Sequence, residues 1–443
     1  MNLEDLRTSV SNGEIDTVIL AITDMQGRLQ GKRFAAGHFV DTVLDHGSEA
    51  CNYLLAVDVE MNTVDGYAMA SWDKGYGDFV MVPDHDTLRP TPWLPGTALL
   101  LADLTWLDGT PVTASPRQLL RRQLDRLAER GWTALAATEL EFLLFDTSYR
   151  DASRQGYRDM EPANHYNLDY SILATSQVEP LIRRIRNEMN AAGLVVENSK
   201  GECNLGQHEI NFLYDEALAT ADKHVVYKNG AKEIAGQEGS SITFMAKYDQ
   251  REGSSCHVHL SLRDGDDQPV FADQPAVFES FLAGQLAAAR DLTLFLAPNV
   301  NSYKRFAAGS FAPTTVAWGT DNRTCAMRVL GEGAGRRIEC RAPGADVNPY
   351  LALAAMIAAG LHGVEQGLAL EDELPGNAYA DSGRPRLPAT LHEARDLFAA
   401  SDIAREAFGQ EVVDHYLNAA RVELAAYDAF VTDWERTRGF ERL

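Results

Sequence analysis

The segment TELEFLLF, residues 138–145, places two carboxylates in a stretch that otherwise predicts a core strand. Side chains alternate between the two faces of an extended strand. Glu139 and Glu141 therefore point to one face, and the apolar residues between and after them cover the other. Two carboxylates on one face repel each other and are costly to remove from water. Such a strand needs a compensating positive charge close to its polar face.

Three further segments show the same pattern: GQHEINF (206–212), CHVHLSL (256–262) and RIECRAP (337–343). Their polar faces carry Gln207, Glu209 and Asn211; His257, His259 and Ser261; and Arg337, Glu339 and Arg341. Taken singly, each is typical of a solvated strand face, and Glu339 between arginines is typical of a surface ion pair. Joined in one sheet, these carboxylates could not all ionise without a cation.

The residue types also indicate which cation. The candidate ligands are Glu139, Glu141, Glu202, Glu209, His257 and Glu339. This oxygen-rich set suits Mg²⁺ or Mn²⁺, whereas a zinc site would use cysteines or several histidines. The cysteines next to these ligands, at positions 203, 256 and 340, are expected to point to the apolar side. Such a site fits metal-assisted phosphoryl transfer.

Composition restricts the class of protein. The 443 residues are 45% hydrophobic and 23% charged, with a net charge of −24, which is typical of a globular protein without a nucleic-acid partner. The first ten residues show no secretory signal, and the longest apolar run, residues 349–361, is too short for a membrane span. Five scattered cysteines favour reduced thiols in the cytoplasm.

The chain divides into two predicted domains. Residues 1–106 are rich in short strands and turns, beginning with a hairpin whose first strand is Thr17–Thr23, and residues 107–443 mix helices with strands. Helices are predicted from Pro116 and over 178–192, 216–236, 276–296 and 348–366, and the last fifty residues are largely helical. GRLQGKR (27–33) and GEGAGRR (331–337) lack phosphate-loop spacing and are interpreted as flexible loops.

The motifs TELEF, KGECNLGQHE, GSSCHVHLSL, NSYKRF, DNRTCAMR and RRIECRAPGADVNPYLA occur in an order and spacing that resemble the type I glutamine synthetase family over nearly the whole chain. Within it, the chain is most similar to an actinobacterial branch of glutamate–amine ligases, the γ-glutamylethanolamide synthetase-like proteins. The resemblance implies an α+β fold, with an N-terminal β-grasp domain and a catalytic domain built on a curved antiparallel sheet with flanking helices. It also implies a dodecamer of two hexameric rings, with active sites between subunits.

The resemblance assigns a role to each matching residue. Glu141, Glu202 and Glu209 would hold the metal near glutamate, and Glu139, His257 and Glu339 the metal on the ATP phosphates. Gly253, Arg305 and Arg341 would bind glutamate, with Arg305 also counted as catalytic, and Arg323 would stabilise the transferring phosphoryl group. The ATP site would comprise Glu197, His259, Ser261, Arg328 and Arg337. Asp65 would accept the proton of the amine, across the subunit boundary.

The sequence departs from glutamine synthetases where ammonium binds. The flap reads GSFAP (309–313), with Phe311 in place of a glutamate, and DGYA (65–68) has Ala68 in place of a serine. Losing a carboxylate and a hydroxyl weakens selection of ammonium and suits an amine with a carbon chain. Tyr379, in GNAY, is expected to be an unmodified loop tyrosine.

The sequence therefore predicts a ligase that joins the γ-carboxylate of L-glutamate to a small primary amine, with ethanolamine as the first choice. The alternatives are a polyamine or a monoalkylamine as the substrate, then ammonia, and last a family member without catalytic activity. The choice between Mg²⁺ and Mn²⁺ stays open.

Overall fold

The predicted N-terminal hairpin opens the first sheet of the protein, which a computed structural model describes over residues 1–443. Strands β1 (Thr17–Thr23) and β2 (Leu29–Ala35) pair antiparallel, as predicted for the hairpin. The interpretation of residues 27–33 as a flexible loop is wrong, because residues 29–33 belong to β2 and only the turn before it is irregular. Asp24 is fully buried at the turn, and its side chain accepts hydrogen bonds from the backbone N–H groups of Gln26 and Arg28. Gly27 has φ +77°, a conformation that favours glycine.

The first sheet has the strand order β2-β1-β6-β4-β3, with β5 added beside β6. Its first and last strands lie parallel at the centre, and the remaining pairs are antiparallel, which is the arrangement of a β-grasp fold. The other strands are β3 (Ser48–Cys51), β4 (Asp78–Pro83), β5 (Arg89–Pro90) and β6 (Thr97–Thr105), and the helices are α1 (Leu3–Ser11), α2 (Ala36–His38) and α3 (Leu44–His46).

The second sheet is built around one long strand, β7 (Trp132–Phe145), which contains TELEFLLF. Its order is β13-β14-β15-β12-β7-β9-β8, with β10 and β11 also paired to β7, and all pairs except β13–β14 are antiparallel. The strands are β8 (Val196–Gly201), β9 (Gln207–Phe212), β10 (Asp215–Glu216), β11 (Ser241–Thr243), β12 (Cys256–Asp264), β13 (Trp318–Thr320), β14 (Met327–Leu330) and β15 (Arg337–Cys340). This sheet carries all four of the segments singled out in the sequence.

Thirteen helices flank this sheet. They are α4 (Pro116–Ala128), α5 (Tyr149–Arg154), α6 (Ile172–Thr175), α7 (Glu179–Ala191), α8 (Ala217–Gln237), α9 (Val270–Asp273), α10 (Pro275–Ala288), α11 (Thr293–Leu296), α12 (Pro349–Gln366), α13 (Leu391–Ala400), α14 (Asp402–Phe408), α15 (Gln410–Ala429) and α16 (Asp433–Gly439). The single helix predicted over 276–296 is wrong, because it breaks after Ala288. A turn over residues 289–292 separates α10 from α11, and the chain beyond the turn packs with all of 292–297 buried.

Arg117, near the start of α4, joins the two parts of the chain. Its buried guanidinium forms ion pairs with Asp84 (2.6 Å) and Asp103 (2.6 Å) of the N-terminal part and with Asp222 (2.8 Å) of α8. The apolar core is likewise continuous, from Leu6 to Leu424. The division at residues 106 and 107 stays a proposal. None of the helices combines the length and the apolar character that crossing a membrane requires.

Candidate active site

A cavity of about 620 Å³ lies on the polar face of the second sheet, and only 4 of its 26 lining residues are hydrophobic. The predicted site residues on its wall are Glu139, Glu141, Glu202, Glu209, Gly253, His257, Arg305, Phe311, Arg323, Arg328 and Arg341. These come from separate segments of the chain, between residues 139 and 341. The alternation seen in each strand therefore produces one common polar surface.

The first cluster joins Glu139, His257 and Glu339. Glu139 lies directly opposite His257 in the β7–β12 pair, and the His257 ring nitrogen Nδ1 lies 3.3 Å from Glu139 and 3.6 Å from Glu339. Burial raises the pKa of Glu139, but hydrogen bonds to His257 and His259 outweigh it, so the net pKa is below the ordinary value. Glu339 also pairs with Arg328 (2.9 Å) and Arg341. Cations of the chain itself thus balance this cluster.

The second cluster joins Glu141, Glu202 and Glu209, whose oxygens lie within 4.8 Å of one another. Burial and the charge of Glu141 raise the pKa of Glu209 to about 7. One lysine opposes this charge: Lys200 pairs with Glu202 and lies 3.7 Å from Glu209. Three carboxylates against one ammonium leave a net negative charge in a largely buried place. The donor set, oxygen only, fits a hard divalent cation.

Ser255 and Gln207 fix the position of Glu141. The Ser255 backbone N–H (2.8 Å) and hydroxyl both donate to its carboxylate, and the Gln207 amide donates at 3.0 Å. These bonds engage both carboxylate oxygens of Glu141 and so fix the orientation of the group. Neither residue was singled out for this role from the sequence, although Gln207 lies two positions before Glu209 and hence on the same strand face.

Cys203 contradicts the expectation that every cysteine beside a ligand points away. Cys256 and Cys340 are fully buried, as expected, but Cys203 lines the cavity and lies with Asp169 and Glu202. The expectation failed because residues 202–206 form a turn, so the alternation of a strand does not apply. Burial, with the charge of Asp169, raises the pKa of the Cys203 thiol to about 11, so the group stays neutral.

Arginines also line the cavity. Arg305, in a short helical turn over 302–305, is buried and donates to the carbonyls of Ala342 (3.0 Å) and Arg341 (3.1 Å). Burial lowers its pKa to about 10. Arg323 is half exposed at the cavity. A Cβ on Gly253 would lie 2.5 Å from the Ala246 carbonyl, so the backbone approach there requires glycine.

Of the five predicted ATP-binding residues, only Arg328 lines this cavity. His259 contacts Glu139 at 3.0 Å, and Arg337 donates to His259 at 3.3 Å, which extends the polar surface along the sheet. Ser261 lies two positions further along β12, and Glu197 is exposed on the edge strand β8.

The amine-specificity residues lie in two separate places. Phe311 lines the cavity at φ +58°, with 58% of it exposed. Tyr379 donates its hydroxyl to the neighbouring Ala312 carbonyl at 3.0 Å, so it contacts the flap. Asp65 and Ala68 are exposed and do not line the cavity of their own chain.

Two features of the cavity were missed. Lys200 lies directly opposite Glu209 in the β8–β9 pair, which places its ammonium beside the second cluster. Asp169 and Tyr170 enter from the segment between α5 and α6, where no motif marks them. The Lys200 ammonium lies 5.0 Å above the Tyr170 ring.

Comparison with known proteins gives a consistent result. Residues 113–439 match the family model described as glutamine synthetase, catalytic domain. The chain is 61% identical, over 100% of its length and 96% of the relative's, to γ-glutamylethanolamide synthetase GlnA4 of Streptomyces coelicolor. It is 39% identical to a glutamate–isopropylamine ligase of a Pseudomonas species, over 98% and 96% of the two chains. A solved GmaS/ADP complex superposes with a TM-score of 0.86 at 27% identity, covering 99% of each chain.

Proposed function

The chain belongs to the glutamine synthetase family, and we propose that it is an ATP-dependent ligase that joins L-glutamate to ethanolamine through γ-glutamyl phosphate. One observation carries the proposal that it is a ligase: residues of both metal-ligand clusters line the same cavity as the buried guanidinium groups of Arg305 and Arg341. The choice of ethanolamine is supported by 61% identity along the whole chain to a γ-glutamylethanolamide synthetase.

Two divalent cations, Mg²⁺ or Mn²⁺, would be held by the two clusters. Glu141, Glu202 and Glu209 would hold one, and Glu139, His257 and Glu339 the other. When bound, such cations neutralise the phosphate charge of ATP and orient the terminal phosphate. The excess negative charge at Glu209 supports the first assignment, and the arginines already paired with Glu339 make the second cluster the weaker site.

Arginines of the cavity would bind and activate glutamate. Arg305 and Arg341 would hold the substrate carboxylate, and the backbone at Gly253 would lie near its amino group. An oxygen of the γ-carboxylate attacks the terminal phosphorus of ATP, the bond to ADP breaks, and γ-glutamyl phosphate forms. Arg323 would stabilise the charge on the transferring group. Glu197, His259, Ser261, Arg328 and Arg337 would bind the nucleotide.

The amine completes the reaction. Its nitrogen must lose a proton before it has a lone pair to attack the γ-carbonyl carbon, after which phosphate leaves. Asp65 of a neighbouring subunit would accept that proton, since its carboxylate is exposed and lies outside the cavity of its own chain. Phe311 and Ala68 would favour a carbon chain over ammonium.

The proposed assembly is a dodecamer of two hexameric rings. This places Asp65 of one subunit at the cavity of the next. The proposed location is the cytoplasm, because all five cysteines are free thiols.

A polyamine is the second candidate substrate, because the cavity contains a carboxylate beyond the two clusters. Asp169 lies on the wall beside the neutral thiol of Cys203 and could hold a second ammonium group. The test is phosphate release from ATP with glutamate and, in turn, ethanolamine, methylamine, putrescine, spermidine and ammonia. Highest turnover with putrescine or spermidine, lost in Asp169→Asn, would favour the polyamine. No turnover with any amine would indicate a member without catalytic activity.

A further inference from the structure

The loop that carries Asp65 is hydrogen-bonded to residues of helix α15 that lie more than 350 positions away in the sequence. The backbone carbonyl of Asp65 accepts two hydrogen bonds from α15, one from the Asn418 amide and one from the Arg421 guanidinium, each 3.1 Å long. Asn418 is only 8% exposed. The loop therefore takes its position from the C-terminal part of the chain.

The two donors act as one unit. Arg421 donates to the Asn418 side-chain oxygen through Nε (3.1 Å) and Nη2 (2.8 Å), which fixes the orientation of the Asn418 amide. Because that oxygen is occupied, the amide nitrogen is directed at the Asp65 carbonyl. Two donors on one carbonyl restrain the loop more than one exposed bond would.

Gly66 shows how close this contact is. Its φ is +101°, and a Cβ at this position would lie 2.3 Å from the Asn418 side-chain oxygen. The next residue, Tyr67, is buried against His415 of the same helix, with ring centroids 4.7 Å apart. The backbone of the loop thus packs against α15 and is hydrogen-bonded to it. The Asp65 carboxylate itself makes no hydrogen bond or ion pair within the chain.

We infer that Asn418 and Arg421 are positioning residues for the proton transfer from the amine, acting through the backbone of Asp65. This inference rests on the proposed function. A general base must lie within hydrogen-bond reach of the proton it accepts. Displacing a base by about 1 Å can lower the rate about a hundredfold. The hydrogen bonds that position the loop therefore control the rate of the amine step.

The experiment compares two nucleophiles in the full-length enzyme. Ethanolamine is protonated near neutral pH and needs a base, whereas hydroxylamine is already mostly neutral. Asn418→Ala should lower kcat with ethanolamine by about tenfold or more and with hydroxylamine by less than about twofold. KM for ATP and glutamate should stay unchanged. Asp65→Asn should show the same selectivity, and Arg421→Met a weaker form of it.

Gln410→Ala is the matched control, because it removes an exposed amide hydrogen bond (2.8 Å to Asp414) from the same helix, and it should change neither rate. If Asn418→Ala fails to fold, Gly66→Ala displaces the same loop from the surface and should give the same selective loss. Suppose that Asp65→Asn lowers kcat selectively with ethanolamine, but Asn418→Ala and Gly66→Ala lower kcat equally with both nucleophiles or with neither. That result would overturn the inference and leave the proposed function intact. A wild-type enzyme inactive with every amine would overturn both.

Discussion

Glu139 and Glu141 share one face of β7 but belong to different clusters. Glu139 lies opposite His257 of β12, whereas Glu141 lies opposite Glu209 of β9. Two residues that are only two positions apart on β7 thus belong to two different groups of ligands. The first group is balanced by arginines, and the second retains an excess of negative charge.

We expect Glu141→Gln to weaken Mn²⁺ binding more than Glu139→Gln does, because Glu141 belongs to the cluster with fewer cations of its own. Titration calorimetry of each variant with Mn²⁺ measures this. Glu129→Gln, an exposed carboxylate that belongs to neither cluster and does not line the cavity, is the control and should bind as the wild type does. Equal affinities in all three variants would contradict the assignment.

Glu209 should make the metal-free protein less stable as the pH rises from about 4.5 to about 7, in opposition to buried histidines such as His208 and His415, whose pKa burial lowers to about 4. The folded state raises the pKa of Glu209 from 4.5 to about 7, so it retains a proton that the unfolded chain releases in this range. The stabilisation is complete below the unfolded pKa and is lost as the pH passes the folded one. Thermal unfolding against pH measures the slope. Glu209→Gln removes this contribution, so its stability should rise more steeply with pH over this range than that of the wild type, and identical slopes in the two proteins would show that Glu209 does not contribute.

Phe311→Glu should raise the use of ammonia relative to ethanolamine, because it restores a carboxylate beside the cavity and removes an apolar contact. Phosphate release at saturating glutamate and ATP gives the ratio of the two rates. Phe311→Leu, which keeps an apolar side chain, is the control and should leave ethanolamine preferred. If Phe311→Glu leaves the ratio of the ammonia rate to the ethanolamine rate unchanged, the flap does not select the amine.

Arg323→Lys should lower kcat by about a hundredfold, because a point charge replaces a planar group suited to the transferring phosphoryl. Steady-state kinetics should show little change in KM for ATP. A variant that loses ATP affinity while keeping kcat would assign Arg323 to nucleotide binding instead.

Arg117→Met should lower the free energy of unfolding by about 3 kcal/mol, since it leaves the buried Asp222 without its ion-pair partner. Urea denaturation of the metal-free protein measures it. Arg154→Met, which removes an exposed ion pair with Asp151, serves as the comparison and should cost less than about 1 kcal/mol. Similar losses in both variants would mean that Arg117 does not join the two parts of the chain.

The polar faces of the strands were predictable because a period of two needs no knowledge of the neighbouring strands. It correctly placed Glu139 and Glu141, Glu209, and His257 on polar strand faces, and the structure brings these faces together, whereas the division into two clusters came from the family resemblance. The same rule failed at Cys203, which lies in a turn. Local patterns carry information only as far as the regular element extends.

Apart from Lys200, the missed features depend on contacts distant in sequence. Asp169 reaches the cavity from an irregular segment, and Asn418 meets the Asp65 loop across 353 residues. The break after Ala288 follows from packing around Phe295, whose neighbours come from α13, α14 and α15. Neither periodicity nor residue type indicates which distant surface a side chain will meet.

A competition between two nucleophiles tests the central claim most directly. The enzyme is given glutamate, ATP, Mg²⁺ and equal concentrations of ethanolamine and ammonium, and mass spectrometry quantifies both amides. We predict that γ-glutamylethanolamide accumulates in large excess over glutamine. Glutamine as the main product would contradict the proposed function.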